Sequence, residues 1–106
     1  MFREVVEIER GLAAHYPDRF LQDLARSLYN LGLLLGFMDR RREAVEILRE
    51  AADIRRQLFA SLPEAFFEVF SQSLQLLSAR LRELGSSEEA AEFEEEAARV
   101  RAERGR

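Results

Sequence analysis

The sequence predicts an all-α fold of five helices in a single domain, arranged as antiparallel hairpins that stack in layers. Three observations carry this prediction. Apolar residues recur at the 3.6-residue period of a helix, and strand-like alternation is absent. The chain overlays on itself at a shift of 46 residues without a gap, 1–60 on 47–106, and the overlay contains nineteen identities. The breaks between helical stretches are two to four residues long, which makes consecutive helices antiparallel neighbours.

The first helix is expected over 2–14, where Val5, Ile8 and Leu12 keep helical spacing. The second spans 17–37. Pro17 suits its first turn, where the missing N–H would have had no partner, and it holds Tyr16 extended. Phe20, Leu24, Leu28, Leu31, Leu35 and Met38 then form one apolar seam. Asp39 stands at the break, and an aspartate tolerates the left-handed backbone that closes a helix better than most residues do. The third helix runs over 40–60 and the fourth over 63–84. Pro63 repeats Pro17, while Phe66, Phe70, Leu74, Leu77, Leu81 and Leu84 repeat the seam. Gly85 is the second left-handed position. After it, Ser86 and Glu89 have the spacing of a capping box and open a fifth helix over 86–104. Leucines alone would align any two amphipathic helices. A matched proline, the serines Ser27 and Ser73, and several charges in one register mark a duplicated unit.

With 106 residues and 47% hydrophobic content, the chain can bury one core and gives no sign of a second. Its longest apolar stretch, Leu31 to Met38, falls far short of the roughly 20 residues needed to cross a bilayer, so no membrane partner is expected. The first ten residues carry acids early and do not read as a secretory signal, which leaves a cytoplasmic address as the expectation. There is no cysteine and a single histidine, His15, so thiolate and imidazole metal sites are not expected. A net charge of -4 with scattered basic residues argues against a grip on nucleic acid. All sixteen basic residues are arginine, a skew that fits GC-rich coding in a bacterial source.

A period of 46 falls among those of solenoid arrays. Leu28, Leu31-Gly32, Leu35, Ala44, Leu48 and Pro63 fall on a pattern of large residue, Leu-Gly, large residue, alanine, large apolar residue and closing proline. By these residues the first unit resembles the tetratricopeptide repeat, in the longer variety found in kinesin-light-chain-like and bacterial multi-repeat proteins. The second unit follows with Leu74, Leu77-Ser78, Leu81 and Ala90, and departs at Glu94, where a large apolar side chain is expected. HEAT and armadillo arrays, with periods of about 40 to 47 residues, are the competing architecture and fit the motif less well.

The resemblance implies a right-handed α-solenoid of about two and a half repeats: a half repeat over 1–16, one repeat over 17–62, and a second over 63–106 that ends in a polar cap. Gly32 and Ala44 are expected to let the two helix axes of a hairpin approach, with Gly36 also packing inside it. Leu48 is expected to wedge against the next unit, and Glu94 to stay in water.

In that family the first helix of each unit lines a concave groove that binds peptides. The matching places here are Arg26, Tyr29, Asn30, Leu33 and Phe37 on the second helix, and Gln72, Gln75, Ala79 and Arg82 on the fourth. Asn30, the only asparagine, can donate to and accept from a ligand backbone at once. Tyr29, Leu33 and Phe37 recur every four residues off the seam. They read either as groove anchors or as core covered by Phe2, Val5, Val6, Ile8 and Leu12 of the first helix. The expected partner is a protein or peptide, and no cofactor is implied. The opening half repeat leaves an unfinished face, which gives the alternative reading of a self-assembly element stacking into a homo-oligomer. No catalytic constellation stands out. His15 and Asp18 lack a positioned nucleophile, and Glu94, Glu95 and Glu96 project about 100° apart on a helix. Arg40, Arg41 and Arg42 sit at a helix N-terminus, where the dipole disfavours cations; they read as an exposed turn or a contact for an acidic partner.

Overall fold

The expected punctuation becomes five helices in the computed structural model, which describes residues 2–104 apart from the side chains of Phe2 and Arg104. The covering contact expected of Phe2 therefore lies outside the described residues. In order they are α1 (Phe2–His15), α2 (Pro17–Phe37), α3 (Arg41–Ser61), α4 (Pro63–Glu83) and α5 (Ser87–Arg104). Both prolines open a long helix behind a residue that has left the helical region: Tyr16 has φ -134° and ψ 66°, Leu62 φ -138° and ψ 78°.

The two hairpin turns are copies. Asp39 has φ 63° and Gly85 φ 82°. The N–H after each donates back to the helix it leaves, from Arg40 to the Leu35 carbonyl and from Ser86 to the Leu81 carbonyl, both at 2.9 Å. This six-to-one closure satisfies carbonyls that would otherwise have no partner. Glu89 does not close the expected capping box, because both of its oxygens accept from Arg49 on α3.

Burial follows the same duplication. One core holds Val6 and Ala13 of α1, Leu24, Leu28, Leu31 and Leu35 of α2, and Ala44, Ala51 and Ile54 of α3. The other holds Ala52 of α3, Phe70, Leu74, Leu77 and Leu81 of α4, and Ala90, Ala97 and Val100 of α5, each 46 positions from a member of the first. Leu48, fully buried, adds to the second core from α3. A leucine withdrawn this completely contributes about 1.5–3 kcal/mol. α3 thus serves two layers at once, whereas α1 and α5 each serve one.

Gly32 is buried under Leu48, so close that a Cβ there would stand 2.4 Å from Cδ2 and 2.6 Å from Cγ. The close approach expected inside the hairpin is real, and Leu48 fills it. Gly36 does something else. Its open side faces the next unit, where the Arg80 guanidinium would lie 3.3 Å from a Cβ.

Between layers, four arginine–glutamate pairs link the odd-numbered helices. Arg3 reaches Glu43 at 2.6 Å and Arg10 reaches Glu50 at 2.6 Å, from α1 to α3. Arg49 reaches Glu89, and Arg56 grips Glu96 with two bonds of 2.8 Å, from α3 to α5. The second pairs stand 46 residues after the first, so the ladder belongs to the repeat. Half-exposed pairs of this kind are worth about 0–1 kcal/mol each, and two-point arginine–carboxylate geometry mainly fixes register.

Candidate protein-binding face

With α1, α3 and α5 linked in one row, α2 and α4 form the other. They meet where Arg80 lies over Gly36 and where Arg55 of α3 reaches up between Tyr29 and Ser73. The residues expected to bind a partner fall on this row. Arg26, Asn30 and Phe37 of α2 and Gln72, Gln75, Ala79 and Arg82 of α4 are exposed, while Tyr29 and Leu33 are half-buried.

The stripe at Tyr29, Leu33 and Phe37 divides along its length. Tyr29 packs against both cores, and the Arg55 guanidinium stands 4.9 Å from its ring centroid, within the range of a cation–π contact. It is a wedge between layers more than a free anchor. Phe37, by contrast, is 85% exposed, with Leu34 and Met38 exposed beside it. Of the first-helix residues expected to cover the stripe, Val5 and Ile8 are exposed, while Val6 is buried in the core that Tyr29 packs against. An apolar patch therefore marks the C-terminal end of α2. At the equivalent places α4 has Arg80, Glu83 and Leu84, so apolar character is concentrated in the first unit.

Two charges on the row are already engaged. Arg82 donates to both oxygens of Glu94 on α5 at 2.7 and 2.5 Å, which keeps Glu94 out of the core and holds its carboxyl below the usual carboxylate range. Arg26 lies 3.7 Å from Asp23. Asn30, Gln72 and Gln75 leave neutral amides on the exposed side.

Arg55 is the feature that pattern reading missed. It is buried, donating to Ser73 Oγ at 2.8 Å and the Val69 carbonyl at 3.4 Å, and burial lowers its pKa. In the first layer the same place carries Glu9, which accepts from Ser27. The signal was present in the matched pair Ser27 and Ser73, which mark one polar position inside each layer. The arginine turn is also resolved: Arg40 pairs with Glu43 at 2.7 Å, and Arg41 with Asp39 at 2.9 Å and Glu83 at 3.7 Å. These are contacts within the chain, and Arg41 ties the first turn to α4.

His15 ends α1 in solvent. Glu94 and Glu96 diverge as helical geometry requires, one to Arg82 and the other to Arg56. Among the described residues no group of three or more acids, histidines or cysteines converges as a metal site, and no helix is long and apolar enough to cross a membrane.

Residues 24–61 match the family model described as tetratricopeptide repeat. The matched segment runs from Leu24 of α2 to the end of α3. The second unit, where Ser78 and Glu94 stand in place of Gly32 and Leu48, lies outside it. Compared with curated proteins and with solved structures, the chain gives no significant match.

Proposed function

We propose, from the match of residues 24–61 to the tetratricopeptide repeat, whose repeats are non-catalytic and generally mediate protein–protein interaction, that the row formed by α2 and α4 is a concave groove that binds a peptide or helical segment of a partner. The observation that carries the reading is the exposure of Phe37 with Leu34 and Met38, next to the exposed amide of Asn30. An aromatic ring left in water offers apolar area with little ordering cost. Neutral amides along the same row can pair with a ligand backbone. In this reading Phe37 anchors one end of the ligand, Asn30 and Arg26 fix its backbone, and Gln72, Gln75 and Ala79 line a polar continuation. Leu33 lies under the ligand, and Tyr29 shapes the floor. Arg82 contributes only when Glu94 releases it.

The test is selection of binding peptides from a displayed library, followed by affinity measurement on variants. Phe37→Ala is expected to weaken a selected peptide about tenfold or more, and Asn30→Ala about fivefold, in line with loss of an apolar anchor and of a buried hydrogen bond. Unchanged affinities, or NMR shift changes confined to α1, α3 and α5, would remove the reading.

A further inference from the structure

Among the described residues the most deeply buried arginine has no acid beside it. Arg10, Arg49 and Arg56 are each more than a third exposed, and each holds a glutamate. Arg55 is 6% exposed, and its Nη1 donates to two neutral acceptors, Ser73 Oγ at 2.8 Å and, at a long 3.4 Å, the Val69 carbonyl. Together with the Tyr29 ring, whose centroid is 4.9 Å away, these set dipoles and a quadrupole against a full charge. A cation withdrawn from water without a counter-charge is costly, so the arrangement calls for an anion. The charged side chain that does act on Arg55 is a second cation: burial pushes its pKa down, Tyr29 pulls it up, and Arg26 pushes it down again. Arg26 is 61% exposed and reaches Asp23 only at 3.7 Å. In the first layer the same place has the opposite sign and is closed, since Glu9 accepts from Ser27.

We propose that the gap between α2 and α4 at Arg26, Arg55 and Ser73 is a subsite for a carboxylate of the bound segment, the side chain of an aspartate or glutamate. The inference rests on the reading of the α2–α4 row as the ligand face and adds what the ligand carries there. The carboxylate takes the mouth of the gap, above the guanidinium that rises from α3, and Arg26 leaves Asp23 to close over it from α2. Two planar donor forks suit a carboxylate, and the half-buried setting strengthens the pairing beyond what water allows. With a net charge of -4 the molecule as a whole does not draw acids towards it, so the selectivity is made locally, by the uncompensated Arg55. The position of the acid in the ligand follows from the helix. Arg26 and Tyr29 precede Phe37 by 11 and 8 residues, which is about 12–16 Å along α2. An extended ligand covers that distance in about four to five residues. The ligand therefore places an apolar side chain at Phe37 and an acid about four or five residues away.

The probes are peptides selected on the full chain from a displayed random library, then labelled and titrated by fluorescence anisotropy. Aspartate or glutamate is expected to be enriched at one position, at that spacing from an enriched apolar one. Changing the acid to its amide should weaken binding to the wild-type chain about tenfold or more. The same change should cost less than about twofold in the Arg55→Gln chain, because the charge it answers is gone. Arg26→Gln, at an exposed position, should weaken the acidic peptide about threefold. Circular dichroism checks that Arg55→Gln folds. Should it not, the NMR shift of the Arg55 Nε–H in the wild-type chain decides the point, moved by the acidic peptide and left in place by its amide. Peptides that depend on Phe37 and Asn30 but show no enriched acid overturn the subsite and leave the role of the row standing. So does an acid-to-amide loss that persists in full in both arginine variants, or an Arg55 signal that does not distinguish the two peptides. Affinities indifferent to Phe37 and Asn30 remove the row and the subsite together.

Discussion

Replacing Gly32 with alanine sets two effects of comparable size against each other. Removing a glycine from a helix interior raises helix propensity by about 0.8–1 kcal/mol. The new methyl, however, would stand 2.4 and 2.6 Å from two Leu48 carbons, well inside the roughly 3.5–4 Å at which carbon atoms rest. Leu48 is fully buried and has nowhere open to move. Overpacking of this kind costs about 1–3 kcal/mol, so Gly32→Ala is expected to destabilise by up to about 2 kcal/mol. For a chain of this length that upper figure is a fall of about 8–16 °C in melting temperature, at about 4–8 °C per kcal/mol. The informative measurement is a double-mutant cycle by urea denaturation. Leu48→Ala alone should cost about 2–5 kcal/mol. In that background Gly32→Ala should become neutral or stabilising, because the clashing carbons are gone. A Gly32→Ala variant that gains the full propensity term with Leu48 in place would refute the packing argument. The second unit shows the paired solution that the cycle imitates: Ser78 occupies the glycine's place where Glu94, turned out to Arg82, has vacated the leucine's.

The other glycines respond differently for local reasons. Gly11→Ala, with no atom near the added methyl, should stabilise by about 0.5–1 kcal/mol in thermal melts, whereas Gly85→Ala should destabilise by about 1–2 kcal/mol because its φ is 82°. Acid should act through the ion pairs. Hydrogen bonds from Arg49 to Glu89, from Arg82 to Glu94 and from Arg40 to Glu43 hold these carboxyls below their ordinary pKa of 4.5. A depressed folded-state pKa adds stability above the ordinary value and loses it as pH falls through the folded one. Melting temperature should therefore be nearly level from about pH 7 to 5 and fall below about pH 4.5. Arg49→Gln should make that fall shallower, and an equally steep fall would show that Glu89 does not contribute.

Local chemistry and a period sufficed to foresee helix number, the two prolines at helix starts and the left-handed turns at Asp39 and Gly85, because each depends on a few neighbouring residues. The partition of the Tyr29, Leu33 and Phe37 stripe was not foreseeable, since whether an aromatic lies inside depends on what the next layer places over it. Arg55 is what sits over Tyr29. The ladder was half legible: Arg3, Arg10, Glu43 and Glu50 all recur 46 residues on, but repetition alone does not show which charge meets which. Their 40-residue separation arises only once two parallel helices lie side by side, and the same stacking takes Glu89 away from its expected cap.

The sharing of α3 between two otherwise separate cores has a kinetic consequence. The dominant packing joins helices adjacent in sequence, so little chain must be closed into loops before contacts form, and the folding rate should belong to the fast class of small helical proteins. Loss of α5 would strip only one side of α3, leaving the first layer able to persist. Mechanical tension applied at the chain ends would accordingly draw the molecule out in successive partial extensions rather than in one rupture.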